Sequence, residues 1–408
     1  MNWKEWSQKL LLMLISVGGG IAIAEIALAI VGFSHVSLIT YDERRGFAPR
    51  PGAKGWYTYE GKSYVEINKD GLRDRDYSLA KPEDTVRIAV LGDSFTEAWQ
   101  VPVTETFWSV MESELANCPT FANQEVEVIN FGVSNYGTAQ QLLTLRHKAW
   151  QYQPDIVVLA MFTGNDIINN SKKLEKDPMR PFFVYQEGEL VLDNSFRELP
   201  SYQKEKSLLW RSFKTASNYS RVVQLLGKSA SSIRFSQPTQ AQDQKTEPEV
   251  KPQPRMVSIN PQSYQPPNEP VWQEAWQITE SLLGIMNNEV QQKEVEFLVT
   301  TISNPQEVHP DPNFRQQFKE YWEIDSLIYP NQRIENAGKD KGFSVLNLSP
   351  SLRSYAEENQ VCLHGFDKKM ICDGHWNSEG HRLAGQKIAQ RLCQNIDLSK
   401  LKDNSKVD

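Results

Sequence analysis

Cysteine is scarce in this chain. Four occur in 408 residues (Cys118, Cys362, Cys372 and Cys393), none in a CxxC spacing. That is too few for a disulfide-scaffold protein. The six histidines show no zinc-finger spacing. Basic charge is not in excess either. Lys and Arg total 44 against 51 Asp and Glu, a net charge of −7. This argues against nucleic acid or an anionic membrane surface as partner. Internal repeats are absent. Apolar residues make up only 39%, because long polar segments dilute an ordinary core. Cys362 and Cys372 would close a short loop in an oxidising compartment, or stay as free thiols of no consequence; the sequence leaves both open.

One long apolar run breaks the pattern. Leu10 to Phe33 is interrupted mainly by Ser16, Gly18-Gly19-Gly20 and Glu25. At about 1.5 Å per residue it is long enough to span a bilayer core. Lys4 and Lys9 precede it, which favours an N-terminus in the cytoplasm, but Arg44 and Arg45 follow it, so charge alone does not set the orientation. Glu25 is the objection, since a carboxyl in hydrocarbon costs roughly 2–3 kcal/mol. A cleaved signal peptide is the rival, with Ala22-Ile23-Ala24 or Ala27-Leu28-Ala29 as cleavage sites. The run continues past both sites, so an uncleaved anchor is expected. Either way, the residues after about 40 are expected outside the cytoplasm, in the periplasm or at the cell surface.

The expected organisation is a cytoplasmic tail at 1–9, an anchor at 10–33, a lead-in arm with a hairpin at 34–83, an α/β domain at 84–397 and a polar tail at 398–408. Strand candidates are Arg87–Leu91, Glu127–Phe131, Ile156–Met161, Glu296–Thr301 and Phe343–Leu348, apolar on both faces as in a helix-covered parallel sheet. Helix candidates are Phe107–Ala116, Thr138–Tyr152, Val271–Gln292, Phe314–Leu327 and Glu379–Asn395, the last after a Ser378 N-cap. This order predicts a three-layer α/β/α sandwich with a central parallel sheet. Residues 170–270 do not fit the rhythm. Their first half has enough apolar residues for a flap; their second, from Gln237 to Pro270, is rich in Pro, Gln, Ser and charge and reads as a linker.

Three motifs carry chemistry. Gly92-Asp93-Ser94-Phe95 follows a strand candidate and opens a helical stretch, which lifts a serine hydroxyl clear of the sheet. Gly164-Asn165-Asp166 follows another strand. Asp373-Gly374-His375 precedes the last helix. Together they offer a nucleophile, an amide donor, and a base with a carboxylate.

These blocks resemble blocks I, III and V of the SGNH (GDSL-type) hydrolase superfamily, whose fold is flavodoxin-like. Asn130-Phe131-Gly132-Val133-Ser134-Asn135-Tyr136-Gly137 resembles block II. The resemblance implies Ser94 as nucleophile, and Asp373 and His375 as the rest of a triad. It implies an oxyanion hole from the N–H of Ser94, a block II N–H and the Asn165 amide. The block II glycine aligns with Asn135, which tolerates positive φ; Gly132 is the other possible donor, and the choice stays open. Thr163 replaces the first glycine of block III. Asp373 and His375 stand two apart instead of three, a spacing that resembles bacterial polysaccharide O-acetylation proteins of the alginate-acetylation type.

The blander readings are concrete. Asp93 and Asp166 are expected to brace their loops, His381 to pack or cap, and Glu97 to be a solvated carboxylate at a helix start. Trp99, Tyr136 and Trp376 either stack on sugar rings or pack in the core, with packing the default. His364, Asp373, His375 and His381 would be a candidate zinc set, but their spacing fits no strong metal signature, so no metal and no cofactor is expected. The function expected is a membrane-anchored serine esterase acting through an acyl-enzyme on an O-acylated glycan or another small ester. A polysaccharide O-acetyltransferase using the same triad is the nearest alternative. A non-catalytic glycan-binding or assembly protein on the same frame is the other.

Overall fold

A five-stranded, all-parallel sheet carries the rest of the molecule. The computed structural model describes residues 3–33, 36–235, 260–366 and 370–396. The Pro- and Gln-rich stretch expected from Gln237 as far as 259, and the polar tail at 398–408, lie outside the described residues.

In chain order, α1 (Trp3–Ile30) is followed by two antiparallel hairpins, β1 (Ile39–Asp42) with β2 (Gly46–Pro49) and β3 (Lys54–Tyr57) with β4 (Ser63–Glu66). Then come β5 (Thr85–Gly92), the single turn α2 (Ser94–Glu97), α3 (Phe107–Ala116), β6 (Glu125–Asn130), α4 (Thr138–His147), β7 (Ile156–Phe162) and the single turn α5 (Asp166–Asn169). An excursion follows: hairpin β8 (Phe182–Gln186) with β9 (Glu189–Asp193), then α6 (Pro200–Lys206), α7 (Leu208–Ala216) and α8 (Arg221–Phe235). The chain returns through α9 (Pro270–Gln292), β10 (Glu296–Ile302), α10 (Pro312–Trp322), α11 (Tyr329–Lys341), β11 (Ser344–Asn347), α12 (Ser349–Asn359) and α13 (Ser378–Asn395).

The sheet order is β11-β10-β7-β5-β6, every pair parallel. Successive residues of a strand face opposite layers. Ile88 and Val90 of β5 face α3, α12 and α13, while Ala89 and Leu91 face α4, α9 and α11. This is the expected three-layer α/β/α sandwich. Trp272, Trp276, Leu283 and Met286 of α9 lie buried on one face, as their spacing requires.

Several boundaries differ from expectation. The helix that holds most of the expected anchor runs from Trp3 to Ile30, because nothing in residues 3–9 breaks a helix. The expected helix Phe314–Leu327 stops at Trp322, where Glu323 adopts φ +53°. Helices α6, α7 and α8 of the excursion and α11 and α12 of the frame are not among the expected helices; the apolar faces of α11 and α12 are short. The N-cap of α13 is Asn377, not Ser378: its side chain accepts from the N–H of Glu379 and Gly380, both at 3.1 Å. All four cysteines are paired. Cys118–Cys393 ties the end of α3 to the end of α13, and Cys362–Cys372 closes a loop just before α13.

Candidate active site

In a parallel sheet flanked by helices, sites form beyond the carboxyl ends of the strands. Here β5 ends into Ser94, β6 into the loop 131–137, and β7 into Asn165. The Asp93 side chain caps α2, accepting the Phe95 N–H at 3.0 Å, and so shapes the turn that presents Ser94. Gly132 lies against that turn. A Cβ there would stand 2.5 Å from Cβ of Thr96, so the close contact of the loop with α2 needs glycine.

The loop between Leu363 and Asn377 brings His375 to the same edge. Its Nε2 lies 2.8 Å from Ser94 Oγ. The ring rests on buried Phe95, with centroids 4.8 Å apart, and Phe95 also packs edge-on to Trp376. A chain of hydrogen bonds braces the loop from behind. Trp376 Nε1–H donates to Ser303 Oγ at 3.0 Å, Ser303 pairs with His364 Nε2 at 3.3 Å, and His364 Nδ1 pairs with the Gly374 carbonyl at 2.7 Å. Burial pushes His364 down to about 3, so it is neutral and serves as a strut.

The carboxylate on the other ring nitrogen is not Asp373. It is Glu60, at the tip of the β3–β4 hairpin, with Oε2 2.5 Å from His375 Nδ1. Its Oε1 accepts the His375 backbone N–H at 2.6 Å. Burial raises the Glu60 carboxyl, but the hydrogen bonds and charge of His375 outweigh this and hold it below the usual carboxylate range. Asp373 instead accepts the N–H of its neighbour Gly374 at 2.8 Å. With only one residue between them, and Gly374 at φ +77°, Asp373 folds back on its own backbone. Glu60 is the functional candidate that sequence reasoning missed. A glutamate in the turn Tyr59-Glu60-Gly61 has no local signature; only the expectation of a hairpin packing on the domain pointed there.

The oxyanion candidates separate. The Gly132 N–H is spent on Asn130 Oδ1 at 2.8 Å. Asn135 is exposed at φ +66°, and its N–H has no partner among the described residues. Its carbonyl accepts from Arg180 Nη1 at 2.7 Å, which holds the residue in that conformation. The Ser94 N–H, at the start of α2, likewise has no partner among the described residues. Asn165 Nδ2 donates to Asp93 Oδ2 at 3.3 Å, which leaves its second N–H beside the serine turn. Thr163 is buried, and its hydroxyl accepts from Asn304 Nδ2 at 3.3 Å and donates to Asn331 Oδ1 at 3.4 Å.

The remaining candidates sort by burial. Asp93 and Asp166 are fully buried; burial raises both carboxyls, and their proximity raises Asp166 further. His381 accepts the Phe107 N–H at 3.3 Å and is held neutral by burial, down to about 3. Tyr136 and Trp376 are core residues, and Trp99 packs against Tyr57. Glu97 departs from expectation. It is fully buried, not solvated, and its Oε2 accepts the Ser134 N–H at 2.7 Å, anchoring the loop that carries Asn135. No cluster of three His, Cys, Asp or Glu side chains suited to a metal occurs among the described residues.

No family model matches the chain, and no curated protein does. Among solved structures it is similar to an acetyl xylan esterase, AlAXEase (11% identity, 75% of this chain and 100% of that one, TM-score 0.37). It is also similar to a catalytic mutant of an acetylxylan esterase from Geobacillus stearothermophilus (8% identity, 78% and 98%, TM-score 0.36). A putative lipolytic protein of the G-D-S-L family from Desulfitobacterium hafniense is a third (11% identity, 75% and 99%, TM-score 0.34).

Proposed function

We propose that the protein is a membrane-anchored serine esterase that acts outside the cytoplasm, with Ser94 as nucleophile, His375 as base and Glu60 as its orienting carboxylate. One observation carries this reading: a serine hydroxyl 2.8 Å from one nitrogen of a histidine whose other nitrogen lies 2.5 Å from a buried carboxylate. Glu60 keeps the proton on Nδ1, so Nε2 is free to accept from Ser94. Ser94 Oγ attacks the acyl carbonyl as its proton passes to Nε2. The oxyanion that forms is met by the N–H groups of Ser94 and Asn135 and by the Asn165 amide, each such donor being worth about 10²–10³ in rate. Collapse breaks the ester bond, and the imidazolium returns its proton to the leaving alcohol. Water, activated by the same nitrogen, then releases the acid from Ser94.

Three features support the location and the substrate class. The apolar helix α1 is long enough to span a bilayer and none of its hydrophobic window is buried. Both cysteine pairs suit an oxidising compartment. The hairpin that carries Glu60 also leaves Trp56, Tyr59 and Tyr64 exposed, aromatic faces of the kind that stack on sugar rings. An O-acylated glycan of the cell envelope is the substrate class proposed.

The test uses p-nitrophenyl acetate with the full-length protein and its Ser94→Ala variant, with and without an acetyl-accepting oligosaccharide. Loss of turnover by at least about 10³-fold in a folded variant supports the esterase. An acetylated oligosaccharide in the second arm makes the protein a transferase through the same acyl-enzyme. No turnover in either protein, with glycan bound by both, replaces the enzyme by a binding protein.

A further inference from the structure

Glu25 is the one acidic residue in the interior of the apolar helix, and it is not left to the lipid. Its carboxylate accepts from Ser220 Oγ, from the Arg221 N–H at 2.9 Å and from the Val222 N–H at 3.0 Å. These are the first N–H groups of α8, which otherwise have no acceptor, and the negative charge sits at the positive end of that helix. Around this clasp, Ala24, Glu25 and Leu28 are the half-buried positions of α1, spaced as one helical face, and α8 packs along them. Two further contacts tie the pair at its outer end. Arg221 Nε donates to the Phe33 carbonyl at 3.2 Å, and Lys228 Nζ lies 5.7 Å over the Phe33 ring.

Glu25 stands five residues before the end of α1, about 7–8 Å along the axis, so the start of α8 is held close to the outer end of the apolar helix. The composition agrees. Leu225 and Leu226 are exposed beside the apolar helix, and exposed Tyr219 precedes α8.

We propose that α8 is a membrane-interface helix, seated on the anchor by Glu25, with Leu225 and Leu226 in the acyl region of the outer leaflet. The occupant of this apolar face is the lipid bilayer itself. The consequence is that the α/β domain does not swing on a tether but stands at a set height over the membrane. The proposal rests on α1 being an uncleaved anchor, as the proposed function holds.

The test uses the full chain, both disulfides intact, in phosphatidylcholine–phosphatidylglycerol vesicles. A Leu226→Cys variant carries an environment-sensitive fluorophore, and Ser351→Cys at an exposed position of α12 is the water-facing control. Expected is at least twofold stronger quenching of the 226 label by a nitroxide high on the acyl chain than by aqueous iodide, with the reverse at 351. Glu25→Leu lowers the lipid quenching at 226 by at least half, while carbonate extraction still finds the chain in the membrane. Iodide quenching at 226 equal to that at 351, in a chain that resists extraction, overturns the interface helix and leaves the anchor standing. A mature chain that begins after Glu25 overturns both. Turnover of p-nitrophenyl acetate reads the esterase separately.

Discussion

Glu60 holds His375 twice, taking its backbone N–H on one carboxylate oxygen and its ring Nδ1 on the other, at 2.6 and 2.5 Å. A carboxylate that grips both backbone and ring sets the position of the imidazole as well as its tautomer. It reaches the site from a hairpin outside the α/β frame, across 315 residues of sequence.

Glu60 and Asp373 therefore have opposite mutational signatures. Glu60→Gln lowers kcat/KM by about 10²–10⁴, because the amide neither fixes the tautomer nor balances the imidazolium. Asp373→Asn changes it by less than about tenfold. Steady-state kinetics on both variants decide; a large loss confined to Asp373→Asn would restore the aspartate as the third member.

Gly374 is predicted to be irreplaceable for activity while tolerable for folding. A Cβ at this position would stand 2.0 Å from Oε1 of Glu60, and the residue's φ is +77°. Gly374→Ala must push the carboxylate off His375. A displacement of about 1 Å costs on the order of 10² in rate. The expected result is that loss in kcat with an unchanged circular dichroism spectrum.

Stability is expected to depend on pH through Glu97. Burial raises its carboxyl to about 7, despite the Ser134 hydrogen bonds and the Arg73 charge that lower it. The folded state thus holds this proton more tightly than the unfolded chain, whose carboxyl titrates near the ordinary 4.5. The stabilisation is complete below about 4.5 and is lost as pH rises through about 7. The full difference is at most about 3 kcal/mol. Thermal melts at pH 5 and pH 8 should differ, and Glu97→Gln should shrink the difference by about 2–4 °C or more. An unchanged difference means that Glu97 is ionised in the folded protein.

The two disulfides should separate by function. Cys362–Cys372 closes the loop that leads into Gly374 and His375, and the double serine variant is expected to lose activity as the imidazole loses its fixed place. Replacing Cys118 and Cys393, which join helix ends away from the site, should cost about 2–4 kcal/mol of stability and leave kcat within about twofold. Denaturation and kinetics on the two double variants test this.

Much of the frame was legible in the chain because its signals are local. Buried parallel strands require continuous Val, Ile and Leu runs, and β5, β7 and β10 show them. Helix α9 announced itself through Trp272, Trp276, Leu283 and Met286 at helical spacing. Ser94 and His375 are legible because each stands in a compact motif. The short helices α11 and α12 were not legible, since their buried residues are few and much of each surface is polar.

What the chain alone determined was the order of its layers, the strand ends on which chemistry can stand, and the serine and histidine that now face each other. Which carboxylate completes the pair, which N–H groups of the 131–137 loop are spent or spare, and where Glu97 and Glu25 find their partners were decided only in three dimensions. The reason is physical. Periodicity and turn chemistry act over a few residues and can be read along the chain, whereas the partner of a buried charge is whichever group the packing brings within about 3 Å, however far away it is in sequence.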